Sequence, residues 1–307
     1  MLDVRRLRLL VELDRRGTLA AVADALAYSP SSVSQQLALL EREAGVPLLE
    51  KTGRRVQLTP QAHVLVEHAT AVLDLLEQAE ADVARTLTAV SGVIRVAVFQ
   101  SAAHAILPRA LSDLRAAHPA LRVEMVEREP DEGLVELSAR DFDLVIAEQY
   151  PGHVRELRPD LDRVGLATDA MRLALPPLGV RTEVDAVQSL ADAAQLPWVL
   201  EPVGTASRQW AVQLCRAAGF EPDVQFETAD LTAHVRLIRS GNAVGLVPDL
   251  LWTGELPSVR VLDLPGSPRR EIFTSTRRAA AGRPSVVACR AALAVAAQAA
   301  PGLTAVS

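Results

Sequence analysis

The chain is almost without lysine: Lys51 is the only one among 32 strong bases. Its basic chemistry rests on arginine, whose planar guanidinium makes forked contacts with phosphates and guanine edges. Cysteine is scarce too. Cys215 and Cys289 are too few for a disulfide framework. Both fall in apolar, helix-patterned stretches and read as buried structural thiols, with a redox pair as the alternative. Long apolar runs are missing: the most apolar tail, residues 291–300, is too short to span a bilayer and runs into Pro301. Met1 leads straight into a charged amphipathic segment without a cleavage signal. These absences predict a cytoplasmic protein with no membrane partner.

Catalytic motifs are missing as well. The chain has no G-x-S-x-G elbow, no G-x-x-x-x-G-K-S/T loop and no H-E-x-x-H pair. Residues 240–245 lack the G-x-G-x-x-G spacing and precede a strand pattern, so they make no dinucleotide site. His63 and His68 stand five apart and do not share a helix face as two zinc ligands would. His104, His118, His153 and His234 are scattered. The expectation is a protein that is no enzyme, with no metal and no cofactor.

What is present is a folded composition, 49% hydrophobic and 23% charged, over a length of 307 residues that suits two domains. The net charge of −6 speaks against a polyanionic partner, but the charge is uneven. Residues 1–60 hold nine bases against seven acids, a net +2. Local placement must then matter more than the bulk field.

The organising stretch is residues 18–60. An apolar segment with Leu19, Ala20, Ala21, Val22, Ala25 and Leu26 breaks at Tyr28, Ser29 and Pro30. A second helix pattern follows, with Val33, Leu37, Leu40 and Ala44 on one face. Its other face carries Ser31, Ser34, Gln35 and Arg42. That is the grammar of a helix-turn-helix, and small hydroxyl and amide groups suit base edges in a major groove. Gly45 ends the helix. Val46, Leu48 and Leu49 pack back, residues 51–55 form a Gly-centred basic turn, and Val56 and Leu58 alternate as a strand. This is a winged helix-turn-helix with a basic tip for phosphates or a minor groove.

At this point the sequence resembles the LysR-type transcriptional regulators. The matching residues are Leu7 to Leu13, Thr18 to Leu26, Ser29 to Leu37, Leu40-Glu41, Gly45 to Leu49 and Leu58-Thr59-Pro60. The resemblance implies double-stranded DNA as a partner, a small-molecule effector, assembly as a homodimer or homotetramer, and RNA polymerase as a further contact. Pro30, Ser31, Ser34 and Gln35 are expected at bases. Ser29, Ser32, Lys51, Thr52, Arg54 and Arg55 are expected at the DNA backbone or minor groove. The sequence departs from the family pattern at Leu49, where phenylalanine is usual, at Lys51, where arginine is usual, and at Gln35, where arginine is frequent. Residues 61–63 also differ from the usual small and glycine residues. Gln35 matters most, because an amide bridges adenine N6 and N7 where arginine prefers guanine.

Thr59 caps a long helix with Pro60 in its first position. Leu65, Ala69, Val72, Leu76, Ala79, Val83, Leu87 and Val90 step along it at near-heptad spacing. An apolar stripe that long predicts pairing with a second copy, and the family's linker helix implies the same. After Ser91-Gly92 the pattern changes to strands alternating with helices. Strands are expected at residues 93–99, 122–127, 143–147, 164–166, 171–175, 198–200, 224–227, 243–247, 259–264 and 272–275. A loop is expected at 99–102, and helices at 103–118, 131–140, 207–218, 231–240 and 284–299. The order predicts a doubly wound sheet.

The whole is therefore read as α/β with an α-rich winged helix-turn-helix at 1–60, a linker helix at 61–90 and an effector domain at 91–307. The resemblance continues through residues 92–97, 107–108, 118–119, 143–146 and 240–248. It implies a domain similar to periplasmic binding proteins, with one lobe at 91–165 and 266–300 and another at 166–265. Small ligands bind beyond strand C-terminal ends in such sheets. Gln100, Ser101 and Ala102, then Gly204 and Thr205, then Thr228, stand at such ends. Their helix-start N–H groups would favour a carboxylate, or the hydroxyls simply cap. Glu148, just past a strand, would instead select a cation, which makes an amino-acid-like effector conceivable. The rival from another class is a solute-binding or enzymatic α/β domain with a helical oligomerisation cap.

Overall fold

The structure is a computed structural model that describes residues 1–52, 55–87, 89–153 and 158–304 and the side chains of all of these but 51, 52 and 55. One compact unit is built on Met1–Thr88 and a second on Ala89–Ser138, Phe142–Arg278 and Ser285–Ser307.

In the first unit, α1 (Val4–Arg16), α2 (Leu19–Leu26) and α3 (Pro30–Ala44) are followed by β1 (Leu49–Thr52), β2 (Arg55–Leu58) and α4 (Pro60–Arg85). Each helix starts on a side-chain cap: Asp3, Thr18, Ser29 and Thr59 accept N–H groups of the first turn. Such a cap is worth about 1 kcal/mol. Gly17 and Gly45 close α1 and α3 in the left-handed region, at φ 73° and 71°. Leu10, Val22, Val33, Leu37, Leu40 and Leu48 form the fully enclosed core. Glu41 ties α3 to the hairpin, accepting the N–H groups of Leu48 and Leu49 at 2.9 and 3.0 Å. β1 and β2 pair antiparallel, with Leu49 opposite Leu58.

The long helix α4 stops at Arg85 rather than running to Val90. The Thr86 hydroxyl turns back to the carbonyl of Val83, and Val90 packs against the core of the second unit. Val72, Leu76, Val83 and Leu87 of the apolar stripe are exposed. Among the described residues no helix is long and apolar enough to cross a membrane.

The second unit contains β3 (Gly92–Val98), α5 (Gln100–Ala105), α6 (Leu107–Ala117), β4 (Leu121–Glu127), α7 (Pro130–Ser138), β5 (Leu144–Gln149) and β6 (Val164–Leu175). It continues through α8 (Thr182–Asp185), β7 (Pro197–Leu200), α9 (Ala206–Ala217), β8 (Asp223–Glu227), α10 (Leu231–Arg239), β9 (Gly245–Pro248), β10 (Arg260–Asp263), β11 (Arg269–Ser275), α11 (Pro284–Ala299) and β12 (Leu303–Thr304). The main sheet runs β10-β6-β11-β5-β3-β4, with β9 and β12 also on β6, while β7 and β8 form a separate parallel pair.

Two expectations change here. The strands expected at 164–166 and 171–175 are one continuous strand, β6. Thr168 and Asp169 interrupt its apolar pattern without interrupting the backbone. Nor is the sheet wholly parallel: β3 pairs parallel with β4 and β5, but β11 runs antiparallel between β5 and β6. β6 contributes Ala167 to one apolar core and Met171, Leu173 and Leu175 to another. It thus passes from one lobe to the other, and β11 returns beside it. The first core holds Ile94, Val96, Ile146, Ile272 and Leu293; the second holds Trp198, Trp210, Leu173 and Leu246. At Gly245 an added Cβ would lie 3.0 Å from the Val199 carbonyl oxygen, so only glycine lets β9 approach β7 this closely.

Candidate DNA-reading face and effector cleft

The three small side chains expected at bases do share an open face. Ser31, Ser34 and Gln35 are exposed on α3, while Val33, Leu37 and Leu40 are buried beneath them. Pro30 is exposed at the first helical position. The Ser29 hydroxyl accepts the Ser32 N–H at 3.1 Å and lies 3.0 Å from the Ser31 hydroxyl, so it serves the helix start. Ser32 is half-buried. Gln36 points back into the domain, its Oε1 accepting from Arg6 Nε at 3.0 Å. Ala38 and Arg42 extend the exposed face at steps of three and four from Gln35. Tyr28, just before α3, is 47% exposed; sequence reasoning treated it only as part of a break. Arg54 and the side chains of Lys51, Thr52 and Arg55 lie outside the described residues.

In the second unit, Gln100, Ser101 and Ala102 are not in a loop. They form the first turn of α5, whose N-cap Phe99 makes no side-chain cap. Ser101 is buried, and its hydroxyl accepts from Arg270 Nη2 at 2.7 Å. Gln100 crosses between lobes, its Oε1 accepting the Leu231 N–H of α10 at 2.8 Å. Ala102 is fully enclosed in the first core and offers no surface to a ligand. Thr205 caps α9, accepting the Arg208 N–H at 3.2 Å and donating to the Pro202 carbonyl at 3.0 Å. Gly204 beside it is exposed, at φ 103°. Thr228 does not cap α10. Asp230 does, and Thr228 accepts the Asp230 N–H at 3.1 Å instead. Of the two readings, capping holds for Thr205, while the Ser101 and Thr228 hydroxyls accept from Arg270 and from the Asp230 N–H rather than capping a helix.

Glu148 also has a partner that the sequence did not reveal. Arg270 on β11 donates to Glu148, and Tyr150 Oη donates to the other Glu148 oxygen at 3.0 Å. The same guanidinium donates through Nε and Nη2 to Asp169 on β6, and its carbon lies 5.2 Å from the Phe99 ring centroid. Asp169 accepts the Leu250 N–H on its other oxygen, at 3.0 Å. Tyr150 stacks on Trp210 of α9, with centroids 5.3 Å apart. Glu148, Asp169, Tyr150, Trp210 and Arg270 are all buried. An effector cation at Glu148 would thus meet a carboxylate that already holds an arginine. Sequence reasoning missed Arg270, Asp169, Tyr150 and Trp210. The available signal was Asp169, an acid in the middle of a mainly apolar strand pattern; Arg270, flanked by Arg269 and Glu271, gave none.

The electrostatics follow from that burial. Desolvation raises the carboxyls of Glu148 and Asp169 above their usual range, against the pull of Arg270. Burial opposes the Arg270 charge, but Glu148 and Asp169 outweigh it and hold the guanidinium protonated. Glu201, just after β7, is pushed up to about 8 by burial and by the charge of Glu148. His234 places Nε2 2.8 Å from the Thr228 carbonyl, and burial lowers its affinity for a second proton.

The redox alternative does not survive the geometry. Cys215 lies in the second core and Cys289 in the first, so the two cannot pair. Burial pushes both thiols up to about 12, which suppresses the reactive thiolate.

Two family models match the chain. One, described as "Bacterial regulatory helix-turn-helix protein, lysR family", covers residues 4–63; the other, "LysR substrate binding domain", covers residues 87–298. The transcriptional dual regulator GltC of Bacillus subtilis is 28% identical over 262 residues, covering 85% of each protein. A probable hydrogen peroxide-inducible genes activator of Mycobacterium avium is 28% identical over 246 residues, covering 79% of this chain and 76% of that protein. Among solved structures, a full-length OxyR variant from Pseudomonas aeruginosa matches at a TM-score of 0.69 with 16% identity, covering 100% of this chain and 99% of that one. The regulator CbnR in complex with its target DNA matches at 0.53 with 23% identity, covering 96% and 100%. At these identities the structural matches speak to fold.

Proposed function

Because the chain belongs to the LysR family, we propose that its exposed α3 face reads operator DNA and that a small molecule bound between the two lobes controls that binding. The protein is a LysR-type, DNA-binding transcriptional regulator. The observation that carries the DNA reading is the sidedness of α3: Ser31, Ser34 and Gln35 are exposed while Val33, Leu37 and Leu40 are enclosed. Pro30, Ser31, Ser34 and Gln35 meet bases; Ser29, Ser32, Lys51, Thr52, Arg54 and Arg55 stay near the backbone or minor groove. Ser29 acts there by presenting the helix N-terminus, since its hydroxyl is committed to the cap.

The modules are 1–60, 61–90 and 91–307, with lobes at 91–165 plus 266–300 and at 166–265. The exposed stripe on α4 supports pairing with a second copy, and a two-fold dimer presents two half-sites. The protein acts as a regulator rather than an enzyme, as its relatives' descriptions suggest, and works in the cytoplasm with RNA polymerase as a downstream contact. An effector shifts the placement of the DNA-binding units only through different affinities for two states.

The test is selection of bound fragments from the source genome by purified protein at near-physiological salt. A discrete site with symmetric half-sites is expected, and the flanking genes name metabolites to try. Uniform recovery of all fragments would remove sequence reading. No recovery from folded protein, with or without those metabolites, would move the weight to a solute-binding role.

A further inference from the structure

Base choice along α3 rests on the proposed reading of this helix as the one that enters a major groove, and then turns on the middle of its open face. Ser31, Ala38 and Arg42 are exposed there. With about 3.6 residues per turn they fall close to one line along the helix, and Ser34 and Gln35 flank that line. Ser31, Ser34 and Gln35 carry hydrogen-bonding groups. Ala38 carries none, and it sits between Gln35, one turn before it, and Arg42, one turn after it. The apolar residues of α3 that build the enclosed core are Val33, Leu37 and Leu40. Ala38 is not among them, so packing within the unit does not account for its methyl group.

Arg42 has its charge uncommitted. Among the described residues it makes no hydrogen bond or ion pair. The acids on either side of it in the chain are taken: Glu41 by the Leu48 and Leu49 N–H groups, Glu43 by Arg6. An unpaired guanidinium one turn beyond Ala38 suits a phosphate, and holding one draws the middle of the helix onto the base edges. A base edge whose donor or acceptor lay under Ala38 would lose water and gain no partner. Thymine is the base that presents a methyl group in the major groove, and alanine is a side chain that meets it. Three residues of helix rise about 4.5 Å, against about 3.4 Å between base pairs, so this thymine lies within about two pairs of the base that Gln35 reads. We propose that Ala38 selects thymine at one position of each half-site by covering its C5 methyl, with Arg42 holding a neighbouring phosphate.

The experiment uses the full chain and duplexes of the operator selected from the source genome. Each thymine is replaced in turn by deoxyuridine, which lacks only the methyl, and affinity is read by fluorescence anisotropy. One position per half-site, close to the one where Gln35→Ala relaxes preference, is expected to lose about fourfold, the worth of one covered methyl. In Ala38→Gly, which removes the facing methyl, the same replacement should cost nothing further; Ala38→Asn serves if the glycine variant does not fold. Arg42→Gln should weaken thymine and deoxyuridine duplexes alike and flatten the salt slope by about one phosphate contact. An operator indifferent to deoxyuridine at every position overturns the proposal, and so does a loss that is equal in wild type and Ala38→Gly. Reading by α3 then still stands or falls on Gln35→Ala. An unchanged salt slope in Arg42→Gln overturns the phosphate contact, and the lack of any discrete operator overturns the thymine contact together with the reading beneath it.

Discussion

Asp169 and Arg270 stand directly opposite each other on β6 and β11, the two strands that link the lobes, and Nε and Nη2 of the arginine both donate to one oxygen of the aspartate, at 3.0 and 2.8 Å. Both residues are almost fully enclosed. Removing one partner of such a pair strands the other in a poorly solvated place, at a cost of about 3–5 kcal/mol.

Arg270→Met is therefore expected to destabilise the second unit by that amount, since it strands Asp169 and Glu148 together. All three tryptophans, Trp198, Trp210 and Trp252, lie in that unit, so urea unfolding followed by tryptophan fluorescence reads it selectively. A loss under about 1 kcal/mol would mean that the pair is worth no more than an exposed one.

Glu201 gives a pH dependence with a definite sign. Its carboxyl has an ordinary value of 4.5 and sits at about 8 in the fold. Between those values the folded state holds a proton that the unfolded chain has lost. This group's contribution to stability is thus fully present below 4.5 and is lost as pH rises to about 8. The full linkage is on the order of a few kcal/mol. Comparing ΔG of unfolding at pH 5 and pH 8 should show a steeper fall for wild type than for Glu201→Gln, and equal slopes would refute it.

Both thiols should be inert. Titration of the native protein with an aromatic disulfide should release little thiolate until denaturant is added, and operator binding should not respond to peroxide. Prompt reaction of either cysteine in the native state would contradict the enclosed positions of Cys215 and Cys289.

DNA binding should separate into base and backbone parts. Gln35→Ala is expected to relax preference at one position by roughly 1–3 kcal/mol. Arg54→Ala combined with Arg55→Ala should weaken all duplexes alike and flatten the salt slope by about two phosphate contacts. An unchanged slope would remove the wing from the interface.

Leu76→Glu, alone or with Val83→Glu, should shift the assembly toward monomer in light scattering, because it places charge in a stripe that is exposed in the single chain. A dimer that survives both changes would have to be held by other surfaces.

Much of the first unit was legible in the sequence for a local reason. Caps, turns and helix faces depend on neighbours within a few residues: Thr59 is followed at once by the helix that it starts. The open face of α3 could be read from spacing alone, as could most strand and helix positions of the second unit. Some errors were local too. Asp169 looked like a break in an apolar pattern, but its partner lies 101 residues away on β11. The helix expected from residue 103 begins at Gln100 and divides at Ile106, ahead of a helix with Pro108 in its first turn.

What the sequence determined by itself was the family, the order of the elements and the open polar face of α3. Only the tertiary structure decided which polar side chains remain available. Ser101, Glu148, Thr205 and Thr228 look like free ligand groups in one dimension. Burial forces Ser101 and Glu148 to be satisfied by whatever donor the fold brings near, while the partly exposed Thr205 and Thr228 bond to backbone groups a few residues away. Arg270 is that donor for Ser101 and Glu148, and no local spacing announces a partner 122 residues from Glu148.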